Sequence, residues 1–476
     1  MHPPGVEDAL QTDYLRQAVD WCRRNPQGKW TAEVTRPVTT LLEEWKEQPE
    51  PELEKDLRQL CAEGRFSIGA LAFHTTPLAD RLELEMLVEE VPRLRRVTGA
   101  AIRCAFQHDI NGLPWPVTEV LLDAGVELLI TGINEGGQGR VVLGRDVFFH
   151  WQGPDGRCLP VYNADHYGAM NRDFHFMEGS VGAMVRGWES YRQKLVEQNH
   201  AWSFALMTAT MTQPCDCNPP DEELVPLVEA WNREKAGPPI RFITGEELLP
   251  RLKAESSGPL PCHAGDWTDW WNFGCASTPF HMAMARRGRR RLRLAQRLSK
   301  EGGGASRLLG AGARVGRAIA AAREKLALWN EHTWNPYLSV MYPDVLHSRL
   351  HSDQKYGLAA DGFAWADLAA RHEMERVSGN PVESRGFSSV ALFNPQDHAI
   401  HVTPRVPKEW LEWNASHNQA WLFHQSARLE YLGAGGENVA GSLHCGGGFL
   451  VQGSLGGGSG GRSTANGFGF FAQQAS

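Results

Sequence analysis

Two short stretches, far apart in this 476-residue chain, carry residue types suited to metal-assisted or acid–base chemistry. Gln107-His108-Asp109 places a carboxylate just past an apolar run, and Asn330-Glu331-His332-Thr333-Trp334-Asn335-Pro336 places a histidine beside a carboxylate. Zinc takes His nitrogen and Asp or Glu oxygen, and a catalytic site leaves one position open for substrate. Asp109 and His332, brought into one cleft, would supply two such donors. Each stretch also has a plainer reading. Asp109 can cap a turn before Asn111-Gly112. His332 can be a core histidine, and Glu331 either supports it from behind or is a surface charge. His108 reads as a surface histidine.

An alternating α/β frame would bring such segments together. Thr40 to Trp45 and Glu50 to Glu63 read as amphipathic helix, and Phe66 to Phe73 as a buried strand. Leu82 to Val97 is helix, Ala100 to Phe106 strand, Val117 to Ala124 helix, and Val126 to Thr131 strand. Ser203 to Thr208 and Ile240 to Ile243 read as two more strands around a helix at Asp221 to Arg233. Such alternation implies crossover connections and a mostly parallel sheet, which can curl into a barrel. Sites in these folds lie at the carboxyl ends of the strands. His74, Asp109, Asn134 and Asp216 all fall at or just past strand ends.

Residues 1–262 are therefore expected to form an α/β domain. After Pro261 comes a Trp-rich loop, then helical patterns at Pro279 to Leu298, Ala313 to Trp329 and Asp344 to Arg376, predicting a helical bundle over 263–378. Ser389 to Pro395 opens a β domain over 379–432, and the Gly-rich stretch 433–476 is expected to be disordered. The Arg286 to Arg293 run reads as a solvated helix face, because no aromatic or Gly-rich context accompanies it.

Bulk properties narrow the classes. A net charge of −8 argues against a general nucleic-acid role. The nine cysteines are scattered, which points to free thiols in a reducing compartment. Cys215-Asp216-Cys217 has the wrong spacing for the usual zinc knuckle. Met1-His2-Pro3-Pro4 lacks the start of a signal peptide, and no apolar stretch approaches a membrane span of roughly 20 residues, so the location expected at face value is cytoplasmic. Of the 17 Trp, most are expected in the core, although Trp faces also stack on sugars.

The order of these features resembles glycoside hydrolase family 38, the zinc-dependent α-mannosidases. An α/β domain with an aspartate after its strand leads through Gly265-Asp266-Trp267-Thr268-Asp269-Trp270-Trp271 into a helical bundle carrying Asn330-Glu331-His332-Thr333-Trp334. The resemblance covers roughly Pro3 to Pro395. It implies a parallel-sheet, barrel-like (β/α)7 domain of the glycoside hydrolase/deacetylase type, a helical bundle and an incomplete β-sandwich. Asp109 matches the carboxylate that is both zinc ligand and nucleophile, and His332 the histidine ligand from the bundle. Asp216 falls near an Asp-Asn-Ala-Pro-Pro segment of the family and is the candidate general acid, with an ordinary turn ahead of Pro219-Pro220 as its plainer reading. His74, Trp267, Trp270, Trp271, Glu331 and Trp334 are candidates for contact with a carbohydrate substrate. Packing between barrel and bundle is the alternative for the three loop Trp.

The chain departs from the family in one respect that matters for chemistry. Members carry a His-x-Asp pair on the first strand, supplying two of four zinc ligands, and this chain has none, so the expected zinc ligand set is incomplete. Asn335 stands where Gly is usual. The leading expectation is retaining hydrolysis of α-mannosides. The rivals are an inactive remnant or carbohydrate-binding protein, then a carbohydrate deacetylase.

Overall fold

The computed structural model describes residues 4–110, 112–132, 142–210, 218–267, 277–301, 311–332 and 342–378, with strand segments 389–392, 400–402, 428–432, 438–442, 453–455 and 468–473. The chain divides into two compact units, Met1–Met282 with Arg323–Ala359, and Ala283–Ala322 with Ala360–Ser476.

The first unit opens with helices α1 (Pro4–Arg24), α2 (Thr35–Glu47) and α3 (Pro51–Ala62), and with strands β1 (Trp30–Ala32) and β2 (Phe66–Ile68) paired in parallel. Thr35, Val38, Leu41 and Trp45 recur every three to four residues on α2 and are all buried, the stripe that makes this segment helical. The single helix expected over Leu82 to Val97 is two, α4 (Arg81–Val88) and α5 (Val91–Thr98). Pro92 has no N–H to donate, which suits the first turn of a new helix, where that N–H would have no partner. Asp80 and Glu83 cap α4 reciprocally, and α5 ends at Gly99 with φ +76°.

A five-stranded sheet follows in the order β3 (Cys104–His108), β4 (Leu128–Gly132), β6 (Cys158–Ala164), β5 (Phe148–Gln152), β7 (Cys262–Ala264). Strands β3, β4 and β6 run parallel, whereas β5 and β6 form an antiparallel hairpin about Gly153-Pro154-Asp155-Gly156. Helix α6 (Val117–Asp123) crosses from β3 to β4, and α7 (Ala169–Arg172), α8 (Val181–Glu197), α9 (Leu224–Glu234) and α10 (Gly245–Glu255) follow β6. All five residues of β3 and of β4 are buried, as expected for parallel strands covered on both faces.

Ser203 to Thr208 and Ile240 to Ile243 are not strands, and the reason is where their backbone groups bond. Ser203 N donates to Glu255 Oε2 (2.8 Å), and the Phe204 carbonyl lies 2.7 Å from His200 Nε2. Ile240 exchanges two 2.8 Å hydrogen bonds with the Asn232 side chain. Side chains have taken the groups a ladder would need.

His200 carries a pH prediction. Its Nδ1 lies 3.1 Å from Asp146 Oδ2 while Nε2 faces the Phe204 carbonyl, so both ring nitrogens meet acceptors and the imidazolium is favoured. The Asp146 hydrogen bond, working against burial, raises the His200 pKa above 6.5. A folded-state pKa raised this way gives stability that is complete below the unfolded value and lost as pH rises through the folded one. Thermal melts should therefore show a wild-type Tm falling by about 2 °C more than that of His200→Asn between roughly pH 6 and pH 9. Parallel curves would remove the ion pair as a stabilising contact.

Three long helices, α11 (Pro279–Glu301), α12 (Ala311–Trp329) and α13 (Leu346–Ser378), each run through a boundary between the units, so the divisions differ from those expected at 262/263 and 378/379. In the second unit Ala295, Ala318, Ala369 and Ala370 form a small-residue core. On α11 Ala285, Leu292, Ala295 and Leu298 are buried while Arg286, Arg287, Arg290 and Arg293 are exposed, the amphipathic pattern of a solvated basic face. The stretch 433–476, read as disordered, contributes β11 (Asn438–Ser442), β12 (Gly453–Leu455) and β13 (Phe468–Gln473), paired with β10 (Arg428–Leu432), β9 (Ile400–Val402) and β8 (Ser389–Leu392). These pairings are antiparallel, and the Gly-rich composition carries no period-2 pattern that would signal them.

Candidate active site

The site is assembled at the carboxyl end of β3. His108 closes that strand opposite Gly132 of β4, where any Cβ would collide with the His108 ring. The chain then turns sharply, with Asp109 in the left-handed region at φ +68°. Asp and Asn tolerate that conformation better than most side chains. A neighbouring loop, His74 to Thr76, is tied to β3 by Gln107 Nε2, which donates to the Thr75 carbonyl at 2.8 Å.

The same loop captures the end of α12. Thr76 N and Thr75 Oγ1 both donate to the Asn330 carbonyl, at 2.9 and 3.1 Å, and His332 N donates to the His74 carbonyl at 3.0 Å. These bonds bring Glu331 and His332 to Asp109. His332 Nε2 and Asp109 Oδ2 are hydrogen-bonded at 3.1 Å, and Tyr167 Oη donates to Asp109 Oδ1 at 3.3 Å. Behind the ring, His332 Nδ1 lies 2.5 Å from Glu331 Oε1. Burial opposes a charge on His332, but Glu331 and Asp109 outweigh it and push its pKa up to about 10. His74, 5.7 Å away ring to ring, is pushed down to about 4, first by burial and then by the neighbouring His332 and His108.

Four of the residues singled out in the sequence thus meet: His74, Asp109, Glu331 and His332. His108, read as a surface histidine, is a correction, since it is 3% exposed with Nδ1 only 2.7 Å from Glu33 Oε1. A buried strand end opposite a glycine leaves its ring nowhere to go but inward. Trp267 is 1% exposed and stacks on Trp151 at 4.4 Å and 10°, so its ring belongs to the core and has no face free for a sugar. Asn134, Cys215, Asp216, Cys217, Trp270, Trp271 and Trp334 lie outside the described residues.

Three participants escaped the sequence reading. Glu33 follows β1, and burial opposes its charge, yet nearby His108 holds its pKa below the usual carboxylate range. Tyr167 stacks near His108 with ring centroids 6.1 Å apart. Lys355 of α13 reaches Glu331 Oε2 at 3.2 Å. Only Tyr167 left a sequence signal, in the run of polar and aromatic residues Asp165-His166-Tyr167 after an apolar strand.

These residues line a cavity of about 1600 Å³ within the first unit, whose other walls include Trp30, Phe106, Phe204 and Phe242. A polar cluster at one side of a largely apolar cleft is the usual form of a small-molecule site.

The model of the glycosyl hydrolases family 38 N-terminal domain matches residues 10–268 of the chain, which contain β3 and Asp109. The chain belongs to glycosyl hydrolase family 38. An alpha-mannosidase from Enterococcus faecalis V583 is similar in structure, with TM-score 0.59 and 15% identity over 92% of this chain and 49% of that one. A second protein of family 38 from Enterococcus faecalis aligns with TM-score 0.54 and 14% identity over 100% of this chain and 53% of its own. At these identities the likeness shows the fold. The chain spans about half the length of the solved structures it matches. No curated protein matches it by sequence. The match covers the N-terminal domain of that family. Among the described residues no helix is long and apolar enough to cross a membrane.

Zinc can be tested against the donors present. Among the described residues no three His, Cys, Asp or Glu side chains are grouped to hold a metal ion. Asp109 and His332 are two donors in contact with each other, where a catalytic zinc takes three protein ligands. The described donor set does not fit.

Proposed function

We propose that the chain hydrolyses α-mannosides with retention, using Asp109 as nucleophile. The observation that carries this reading is the convergence of Asp109, His332, Glu331 and His74 on one cavity in a chain of family 38. The substrate is carried over from the Enterococcus faecalis protein described as an alpha-mannosidase. In the first step an Asp109 oxygen attacks the anomeric carbon, the glycosidic C–O bond breaks, and the departing oxygen takes a proton from an acid. In the second, water attacks the same carbon and gives its proton to the carboxylate left by that acid, while the bond to Asp109 breaks and releases mannose and the Asp109 carboxylate. A retaining pair needs two carboxyl groups about 5 Å apart. Asp216 is the proposed acid. His332 and Tyr167 hold the two Asp109 oxygens, which fixes the direction of attack. Zinc enters this proposal only through Asp109 and His332, an incomplete set, and no step is assigned to it.

A second reading, sugar binding without turnover, is favoured by the missing third donor. Both are tested by mixing the purified chain with an activated aryl α-mannoside. Release of the phenol, with the first-formed sugar α by proton NMR, is expected. A β first product removes the retaining mechanism, and calorimetric binding of mannose without phenol release selects the second reading.

A further inference from the structure

We propose that Lys355 is a positioning residue of this site: its buried ammonium fixes the Glu331 carboxylate and the turn behind it, and so aims the His332 ring at Asp109. Lys355 lies on the first turns of α13 and is 6% exposed. An ammonium has three donors and no acceptor, and a buried one must find three oxygens. The structure provides them at 3.1 Å (Leu328 O), 2.8 Å (Glu331 O) and 3.2 Å (Glu331 Oε2).

The first two contacts could serve the end of α12 alone, since Lys near a helix C-terminus satisfies its last carbonyls. The third does something a helix cap does not. It holds one oxygen of Glu331 while the other lies 2.5 Å from His332 Nδ1. His332 Nε2 is then presented to Asp109. The line Lys355–Glu331–His332–Asp109 thus joins α13 to the end of β3 through contacts that each fix the next. Burial alone draws the Lys355 pKa down and Glu331 opposes that, so the pair is mutually dependent. Arginine would not replace this lysine, because a planar fork does not meet three oxygens arranged about a point.

The experiment combines Lys355→Met with Glu331→Gln and reads the site in two ways. In the 15N-histidine-labelled chain the ring-nitrogen resonances of His332, assigned by their loss in His332→Gln, should move in Lys355→Met while the protein still melts cooperatively. Unmoved resonances would overturn the proposal. The second reading rests on the glycosidase proposal: kcat on the aryl α-mannoside should fall about 10–100-fold with KM nearly unchanged. In the Glu331→Gln background Lys355→Met should then cost little more, because both act through one contact. Equal losses in the two backgrounds would make Lys355 a structural cap only. If no variant and no wild-type chain turns over mannoside, the glycosidase reading falls and the resonances still decide the positioning role. Should Lys355→Met fail to fold, Lys355→Gln carries the same measurements.

Discussion

Asp109→Asn is expected to slow cleavage of an activated aryl α-mannoside by about 10⁴-fold or more, with Tm nearly unchanged. The substitution isolates chemistry from structure. Asn is isosteric with Asp and equally at home at φ +68°, so the turn after β3 has no reason to move. An Asn amide can still offer its oxygen to His332 and its NH2 toward the Tyr167 oxygen. What it lacks is a carboxylate able to form the glycosyl ester. Asp109→Gly gives a complementary result, since Gly also suits the left-handed backbone and opens space beside the anomeric carbon. Azide should restore part of its turnover and yield the inverted glycosyl azide. Retained activity in Asp109→Asn would move the nucleophile elsewhere.

How far the sequence reached depends on the kind of signal each element leaves. Strands β3 and β4 were legible because both faces are buried and the apolar run is continuous. The β5–β6 hairpin was missed despite Gly153-Pro154-Asp155-Gly156, a turn signal between two apolar runs. Ser203 to Thr208 has strand composition, but His200 and Glu255 hold its backbone, a contact no local pattern encodes. The site divides the same way. Asp109 and His332 are 223 residues apart, and their donor chemistry together with the family resemblance suggested that they meet. Glu33 and Lys355 belong to ordinary-looking amphipathic surroundings, and their roles come from what faces them after folding. Trp267 shows the converse, since a Trp-rich loop invites a sugar-binding reading until the flat stack on Trp151 accounts for the ring.

His332→Ala should be the more damaging change for stability. Removing one partner from a buried ion pair costs about 3–5 kcal/mol, because the other charge is left without compensation. His332 and Asp109 side chains keep 19% and 21% exposure, which lets water recover part of that cost. A loss of roughly 2 kcal/mol, seen as a fall in Tm of about 5 °C, is the expected outcome. Glu331 is partly protected because Lys355 still holds its second oxygen at 3.2 Å, and Asp109 keeps its 3.3 Å bond from Tyr167. Activity should fall about 100-fold, and far less in an Asp109→Asn background, since a ring that acts by holding a nucleophile has nothing to hold there. The proposed metal role has its own reading in this variant. Zinc kept by the dialysed wild type and lost from His332→Ala would place His332 in a ligand set, while equal retention would remove it and leave the imidazole as a partner of Asp109 alone.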